Sequence, residues 1–278
     1  MAVFPEIPGY RVLSVISDGG IARVYLGLQE KLNRKVAIKI LNPFFLKEKD
    51  TAIRFKKEAK TAAMLAHSNI VHIYDTGEIG DYQYIVMEYL EESLRERLKR
   101  EPQRIMKPEI ALHIVEDIIK ALDYAHFRGV YHRDIKPENI MFRQDSTPVL
   151  VDFGIAHVYN SSVQLTGSEV IMGTVYYMSP EQCNAQQIVD GRSDIYSLGV
   201  VLFEMMSGKR PYKGGGLISI LQQHIERPIP RLPEELNLYQ PLINAMMAKD
   251  KTKRLSSGPQ FALMLDKILN AETVAYQH

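Results

Sequence analysis

The stretch from Tyr131 to Asn139, Tyr-His-Arg-Asp-Ile-Lys-Pro-Glu-Asn, crowds acidic, basic and amide side chains into one short run. Pro137 keeps it from continuing as helix or strand, so it reads as a loop. Packing has no use for an Asp, a Lys and an Asn together, whereas chemistry does. Asp134 is an acceptor that can orient a hydroxyl and take its proton, and Lys136 is a cation two residues on. Asn139 supplies a neutral oxygen suited to a hard metal ion. Farther on, Asp152-Phe153-Gly154 puts a carboxylate at the end of an apolar strand, with Gly154 leaving the following backbone free to move. Two loops that together carry Asp134, Asn139 and Asp152 point to a metal and phosphoryl site.

Two upstream stretches fit that chemistry. Val36-Ala37-Ile38-Lys39 places a lysine at the end of an apolar run. Strand lysines are usually solvated edge residues, but a helix follows whose Glu58 could face this one. A paired Lys39 would be a fixed cation for phosphate oxygens. Ile16-Ser17-Asp18-Gly19-Gly20-Ile21-Ala22 reads as a hairpin turn whose glycines let amide N–H groups approach an anion. An ordinary Asp-Gly hairpin turn has the same signature, so this stretch alone leaves both readings open.

The elements that must position these groups fall into two kinds. From Tyr10 to Tyr89, β-branched and aromatic runs at Arg11–Ile16, Arg23–Leu28, Lys35–Leu41, Ile70–Thr76 and Tyr82–Tyr89 predict a small antiparallel sheet. One helix interrupts it, from Asp50 or Thr51 to about Ala66. Beyond Glu91 helical spacing dominates. Pro108 opens a helix whose apolar stripe is Ile110, Ile114, Ile118, Leu122 and Ala125. Short strands follow at Ile140–Phe142 and Val149–Val151. Further helices are expected at Asp194–Ser207, ending at Gly208, and near Leu217–His224, Tyr239–Ala248 and Gln260–Leu269.

Composition sets the outer bounds. At 278 residues, with 46% hydrophobic and 24% charged, the chain suits one large domain or two apposed lobes. A formal net charge of +1 gives no electrostatic case for nucleic acid or an anionic membrane. The single cysteine, Cys183, excludes an internal disulfide and a cysteine-based zinc cluster; it reads as a small loop residue after Pro180. The N-terminus lacks the pattern of a signal peptide, and the strongest apolar stretch, Leu198–Met206, is about half the roughly 20 residues of a bilayer span. A cytoplasmic location is expected, including that of a cytoplasmic domain in a longer protein.

With its motifs in order, the chain resembles the protein kinase family from Tyr10 to about Leu269. Val36-Ala37-Ile38-Lys39, His132-Arg133-Asp134 with Asn139, and Asp152-Phe153-Gly154 carry the resemblance. It looks most like bacterial serine/threonine kinases, through the double glycine of the first loop and the Gly173-Thr174 to Met178-Ser179-Pro180-Glu181-Gln182 segment. The resemblance implies an α+β, bilobal protein-kinase fold: an antiparallel β-sheet lobe with one helix (about 10–88), a hinge (about 88–92) and a mainly helical lobe (about 93–270). It implies ATP and Mg²⁺ or Mn²⁺ as cofactors and proteins with Ser/Thr acceptors as substrates. Lys39, paired with Glu58, would hold the α and β phosphates. Asp134 would be catalytic base or substrate orienter, Lys136 would contact the transferred phosphate, and Asn139 and Asp152 would hold the metal. Ile16, Ser17, Asp18, Gly19, Gly20 and Ala22 would cover the nucleotide. Val24, Ala37 and Met141 would sandwich adenine, Glu88 and Leu90 would read its edge, and Met87 would be the gatekeeper. Glu181 would pair with Arg254, Asp194 would brace the catalytic loop, and His132 would pack on Phe153.

The chain departs from the family pattern at Ser17 and Ala22, which stand where the first and third glycines usually do. If either position needs positive φ, a side chain there costs on the order of 1 kcal/mol. The rival reading is a pseudokinase, a scaffold that binds nucleotide with little turnover. A small-molecule phosphotransferase is disfavoured by the Val170–Glu181 segment, and a GxxxxGK[ST] nucleotidase by the absence of that motif. Arg133 before Asp134 resembles kinases controlled by activation-loop phosphorylation, with Thr166 and Ser168 as the phosphosites and self-association as a route to modify them.

Overall fold

The computed structural model describes residues 5–19, 22–42, 49–80, 82–153, 173–184 and 188–275, with backbone alone at 49–52, 54, 57–58 and 271–275. The chain divides into two compact units, Met1–Glu91 and Glu92–His278.

In the first unit, β1 (Tyr10–Asp18), β2 (Ala22–Gln29) and β3 (Arg34–Leu41) form successive antiparallel ladders. After α1 (Lys49–Ala63) come β4 (Ile73–Ile79) and β5 (Tyr82–Glu88), completing a sheet of order β1-β2-β3-β5-β4. Side chains alternate along β3, which sorts its residues by function. Val36, Ile38 and Ile40 join Ile7, Tyr25 and Val86 in one buried cluster. Ala37 and Lys39 take the opposite face. Register then fixes their neighbours: Lys39 lies opposite Val24 and Ile85, and Ala37 lies opposite Leu26 and Met87. Helix α1 buries Phe55, Ala59 and Ala62, a stripe at helical spacing.

Several boundaries here differ from expectation: β1 runs on to Asp18 and β4 to Ile79, past the expected Ile16 and Thr76. The fourth strand begins at Ile73 and not at Ile70, because Ile70 and Val71 are buried without joining the ladder. Helix α1 stops at Ala63, where the Leu65 N–H closes a tighter turn onto the Ala62 carbonyl.

The second unit opens with β6 (Glu92–Ser93), α2 (Leu94–Arg100) and α3 (Pro108–Phe127). Next come β7 (Ile140–Phe142) and β8 (Pro148–Leu150), which with β6 make a small sheet of order β6-β7-β8. The chain continues through α4 (Pro180–Cys183), α5 (Gly191–Ser207), α6 (Gly216–Glu226), α7 (Gln240–Met246) and α8 (Gly258–Ala275). Helix α5 is buried from Ser193 to Met206, so it is a central support rather than an amphipathic surface helix. The Asp190 side chain caps its start by accepting from the Arg192 N–H, and Gly208 at φ 68° ends it.

The second short strand stops one residue before the expected Val151. That residue has other partners: its N–H donates to the Asn139 carbonyl (3.0 Å) and its carbonyl accepts from the His132 ring (2.9 Å). The helix expected over Tyr239–Ala248 is α7, Gln240–Met246, with Pro241 in its first turn and a 3-10 turn, Glu234–Tyr239, leading into it. Cys183 closes α4 instead of lying in a loop, and burial pushes its thiol up to about 12, which removes it as a nucleophile. Among the described residues no helix is long and apolar enough to cross a membrane.

Candidate active site

The polar loop is held from below by one carboxylate. Asp194, in the first turn of α5, is wholly buried and accepts from the backbone N–H of Arg133 (2.6 Å) and of His132 (2.9 Å). Its Oδ2 also meets His126 Nε2 at 2.8 Å. Burial alone would raise this carboxyl, but the bond to His126, the attraction of that imidazole and the Arg133 N–H outweigh it and hold it below the usual range. These bonds stabilise Arg133 at φ 66°, a left-handed conformation costly for a residue with a side chain.

His132 ties this loop to the second one. Its buried ring accepts the Asp134 N–H at Nδ1 (3.3 Å), which leaves Nε2 to donate to the Val151 carbonyl (2.9 Å). The same ring packs on Phe153 at 4.7 Å between centroids. Asp152, between those two contacts, sits at φ 62°. Two left-handed non-glycine residues, Arg133 and Asp152, thus flank one histidine; strain of this kind collects where side chains must be aimed.

At the loop itself Lys136 Nζ bridges Asp134 Oδ2 (2.7 Å) and Thr174 Oγ1 (3.0 Å). A 3-10 turn, Pro137–Asn139, brings Asn139 back toward Asp134. There its amide nitrogen donates to the Asp134 carbonyl (2.8 Å) and Oδ2 (3.0 Å). With Nδ2 so engaged, the amide offers its oxygen to any cation. Among the described residues no group of three His, Cys, Asp or Glu side chains could hold a metal ion. The available set is instead one carboxylate, Asp152, and one amide oxygen, Asn139. Mg²⁺ accepts such a sparse set when phosphate oxygens and water complete its shell, so the residues present fit a nucleotide-borne metal.

Behind the loop, Glu181 and Arg254 form a buried pair with contacts of 2.6 and 3.0 Å. Ser193 Oγ adds a third bond to Glu181 at 2.6 Å. The neighbouring Gln182 completes a capping box with Ser179 and donates to the Arg133 carbonyl (2.8 Å). Arg133 Nε is buried with no hydrogen-bond partner among the described residues.

In the first unit the sheet collects Val24, Ala37, Lys39 and Met87 on one face through the register given above. Lys39 and Met87 are buried there. Glu88 ends β5, with its N–H donating to the His72 carbonyl (2.9 Å), and Leu90 follows two residues on. Met141 belongs to β7. Ile16, Ser17 and Asp18 end β1, and Ala22 begins β2; neither Ser17 nor Asp18 has positive φ. The conditional strain at Ser17 therefore does not arise. Gly19 is required for space, because a Cβ there would meet the Ala22 carbonyl oxygen at 2.9 Å. Gly20, the Glu58 side chain, Gly154, Thr166 and Ser168 lie outside the described residues.

Sequence reasoning missed Arg95, Glu138, Tyr177 and Glu204, which form one ionic cluster beside the loop. Arg95 Nε bonds Glu138 Oε1 and its Nη1 bonds Glu204 Oε1, both at 2.8 Å. One signal was available: Ser93-Leu94-Arg95-Glu96 is a capping box that starts helix α2.

Comparison with known proteins gives a consistent picture. The model of the protein kinase domain matches residues 10–270. The serine/threonine-protein kinase PrkC of Bacillus subtilis is 41% identical over 232 residues, covering 83% of this chain and 35% of that protein. PknB of Mycobacterium tuberculosis is 35% identical over 273 residues, covering 95% of this chain and 43% of the relative. The chain thus spans less than half the length of these relatives. Among solved structures, a point mutant of the Mycobacterium tuberculosis PknI kinase domain aligns with a TM-score of 0.73 at 25% identity, covering 97% of this chain and 100% of that one.

Proposed function

The chain belongs to the protein kinase family, and from that premise we propose that it transfers the γ-phosphoryl group of ATP to serine and threonine hydroxyls of proteins. The observation that carries this reading is the Lys136 bridge between Asp134 Oδ2 and Thr174 Oγ1. It sets a carboxylate, a cation and a hydroxyl-bearing turn around the place where an acceptor side chain would lie. Two relatives named as serine/threonine kinases support an enzyme over a nucleotide-binding scaffold.

Asp134 orients the acceptor hydroxyl and takes its proton. The hydroxyl oxygen forms a bond to the γ-phosphorus, the bond to the β,γ-bridging oxygen breaks, and ADP leaves with that electron pair. Lys136, already poised between Asp134 and Thr174, offers a charge to the equatorial oxygens as they gather negative charge. Lys39, on the sheet face with Val24, Ala37 and Met87, serves the α and β phosphates; Glu58 on α1 is its proposed partner. Val24, Ala37 and Met141 contact adenine, Met87 gates it, and the backbone at Glu88 and Leu90 reads its edge. Protein kinases in general use ATP and a divalent metal. Here Asn139 and Asp152 would hold Mg²⁺, or Mn²⁺, whose charge offsets that of the phosphates.

Regulation follows from Arg133. Its buried Nε lacks a partner among the described residues, and a phosphate on Thr166 or Ser168 would supply one. Transfer from one copy to another would place it there, and the lone Cys183 suits a reducing cytoplasm. Incubation with Mg²⁺, γ-labelled ATP and a general protein acceptor tests the reading. Label recovered as phosphoserine and phosphothreonine is expected; ATP binding with no label transferred contradicts it.

A further inference from the structure

The turn that carries Thr174 is held at both ends. At its start the Thr174 hydroxyl accepts from Lys136 Nζ at 3.0 Å, and the Thr174 carbonyl accepts the Tyr177 N–H at 3.1 Å. At its far end the Tyr176 carbonyl meets Nε2 of His224 at 3.1 Å. His224 stands in the last turn of α6, is wholly buried, and takes no part in the transfer described above.

The remaining contacts fix how this ring points. Its Nδ1 faces Tyr196 Oη of α5 at 3.0 Å, and the Tyr212 ring packs edge-on against it. Lys249 Nζ donates to Tyr196 Oη (3.3 Å), to Tyr212 Oη (2.8 Å) and to the His224 carbonyl (2.6 Å). A carbonyl only accepts, so in the neutral ring the proton sits on Nε2, and Nδ1 accepts from the Tyr196 hydroxyl. Donation therefore runs one way, from Lys249 through Tyr196 and His224 to the Tyr176 carbonyl. Burial pushes the imidazole down to about 3, which keeps the ring neutral well into acid. An apolar side chain could fill this space without any buried polar partners, whereas a fully bonded buried network specifies one geometry. What it specifies here is the position of the Tyr176 carbonyl, two residues from Thr174.

We propose that His224 is a positioning residue for phosphoryl transfer: its Nε2–H anchors the Tyr176 carbonyl, and the turn from Thr174 to Tyr177 passes that constraint to the Thr174 hydroxyl, which holds Lys136 against Asp134. The proposal rests on the kinase reading above. It makes the end of α6 a support of the acceptor site, acting through Thr174 and not on the substrate itself.

Two replacements of equal length separate the hydrogen bond from the filling of space. His224→Gln keeps an N–H donor near the place of Nε2, and His224→Met has none. In single-turnover transfer from Mg-ATP to a protein acceptor, His224→Gln should stay within about threefold of the unaltered chain, and His224→Met should lose roughly tenfold in rate with ATP affinity unchanged. Added to Thr174→Ala, His224→Met should cost nothing further, because its effect passes through that hydroxyl. Phe261→Leu, at a wholly buried position on α8, controls for lost stability and should leave the rate unaltered. Equal rates for the Gln and Met variants, or an additive loss on top of Thr174→Ala, overturn the proposal. Should His224→Met fail to fold, His224→Gln decides alone: a kept rate supports the strut, and a rate lost in a folded Gln variant overturns it. Absence of transfer by the unaltered chain would instead refute the kinase reading. The Thr174 amide signal in nuclear magnetic resonance then judges the strut: it should move further in His224→Met than in His224→Gln, and equal displacement overturns the proposal.

Discussion

Asp194 accepts the backbone N–H of Arg133 at 2.6 Å, and this bond fixes a residue with a side chain at φ 66°. A wholly buried carboxylate is thereby used to hold backbone geometry rather than to act on substrate. Asparagine has the same shape but turns one accepting oxygen into a donor facing other donors. Asp194→Asn should lower unfolding stability by about 1–3 kcal/mol. It should also reduce kcat by more than the unfolded fraction explains; urea titration alongside kinetics separates the two effects.

The buried ion pair Glu181–Arg254 makes a different prediction. Arg254→Met leaves Glu181 charged and buried, with only the Ser193 hydroxyl bond remaining among those given above. The expected loss is about 3–5 kcal/mol. Adding Glu181→Gln removes the stranded charge, and the double variant should recover much of that loss. Equal stability of the single and double variants would mean that the pair is not electrostatically coupled.

These supports were unevenly legible in the sequence. Asp134, Asn139 and Asp152 stood out because each lies in a short run whose residue types have no packing purpose. Sheet strands β2 and β3 were readable because apolar alternation dictates which face is buried. The start of β4 was not, since Ile70 and Val71 are as apolar as strand residues yet spend that character on packing outside the ladder. The pairing of Glu181 with Arg254 came through resemblance, not from any local pattern. Arg95 and Glu204, separated by 109 residues, have no local pattern at all. Helix α2 was passed over because its buried residues are only Leu94 and Leu98, too few to make a stripe.

Acid should act on the fold through His224. Its ring is buried, with Nδ1 against Tyr196 Oη (3.0 Å) and Nε2 against the Tyr176 carbonyl (3.1 Å). Tyr212 lies on its edge at 4.8 Å between centroids, and Lys249 Nζ donates to its carbonyl at 2.6 Å. Burial, reinforced by the Lys249 charge, pushes the imidazole down to about 3 from an ordinary 6.5. Between those values the unfolded chain binds a proton that the folded one does not, so stability rises with pH. The contribution is complete above pH 6.5 and is lost at about 1.4 kcal/mol per unit as pH falls toward 3. Denaturant titrations from about pH 7 to about pH 4.5 should show that slope, and His224→Gln should flatten it. An unchanged slope in the variant would assign the acid sensitivity elsewhere.

Phosphorylation should act through Arg133. Thr166→Ala combined with Ser168→Ala should lower kcat/KM toward a separate protein acceptor by roughly tenfold, the worth of one or two charge-assisted hydrogen bonds. Full activity in the double variant would show that the two hydroxyls have no regulatory part.

The central claim is that Asp134, held by Asn139 and Lys136, serves the acceptor hydroxyl. Its most direct test is single-turnover transfer of the γ-phosphoryl of Mg-ATP to a protein acceptor by the unaltered chain and by Asp134→Asn. The account predicts a loss of roughly 10² to 10⁴ in the rate of transfer, with ATP binding retained. A rate within a few fold of the unaltered chain would contradict it.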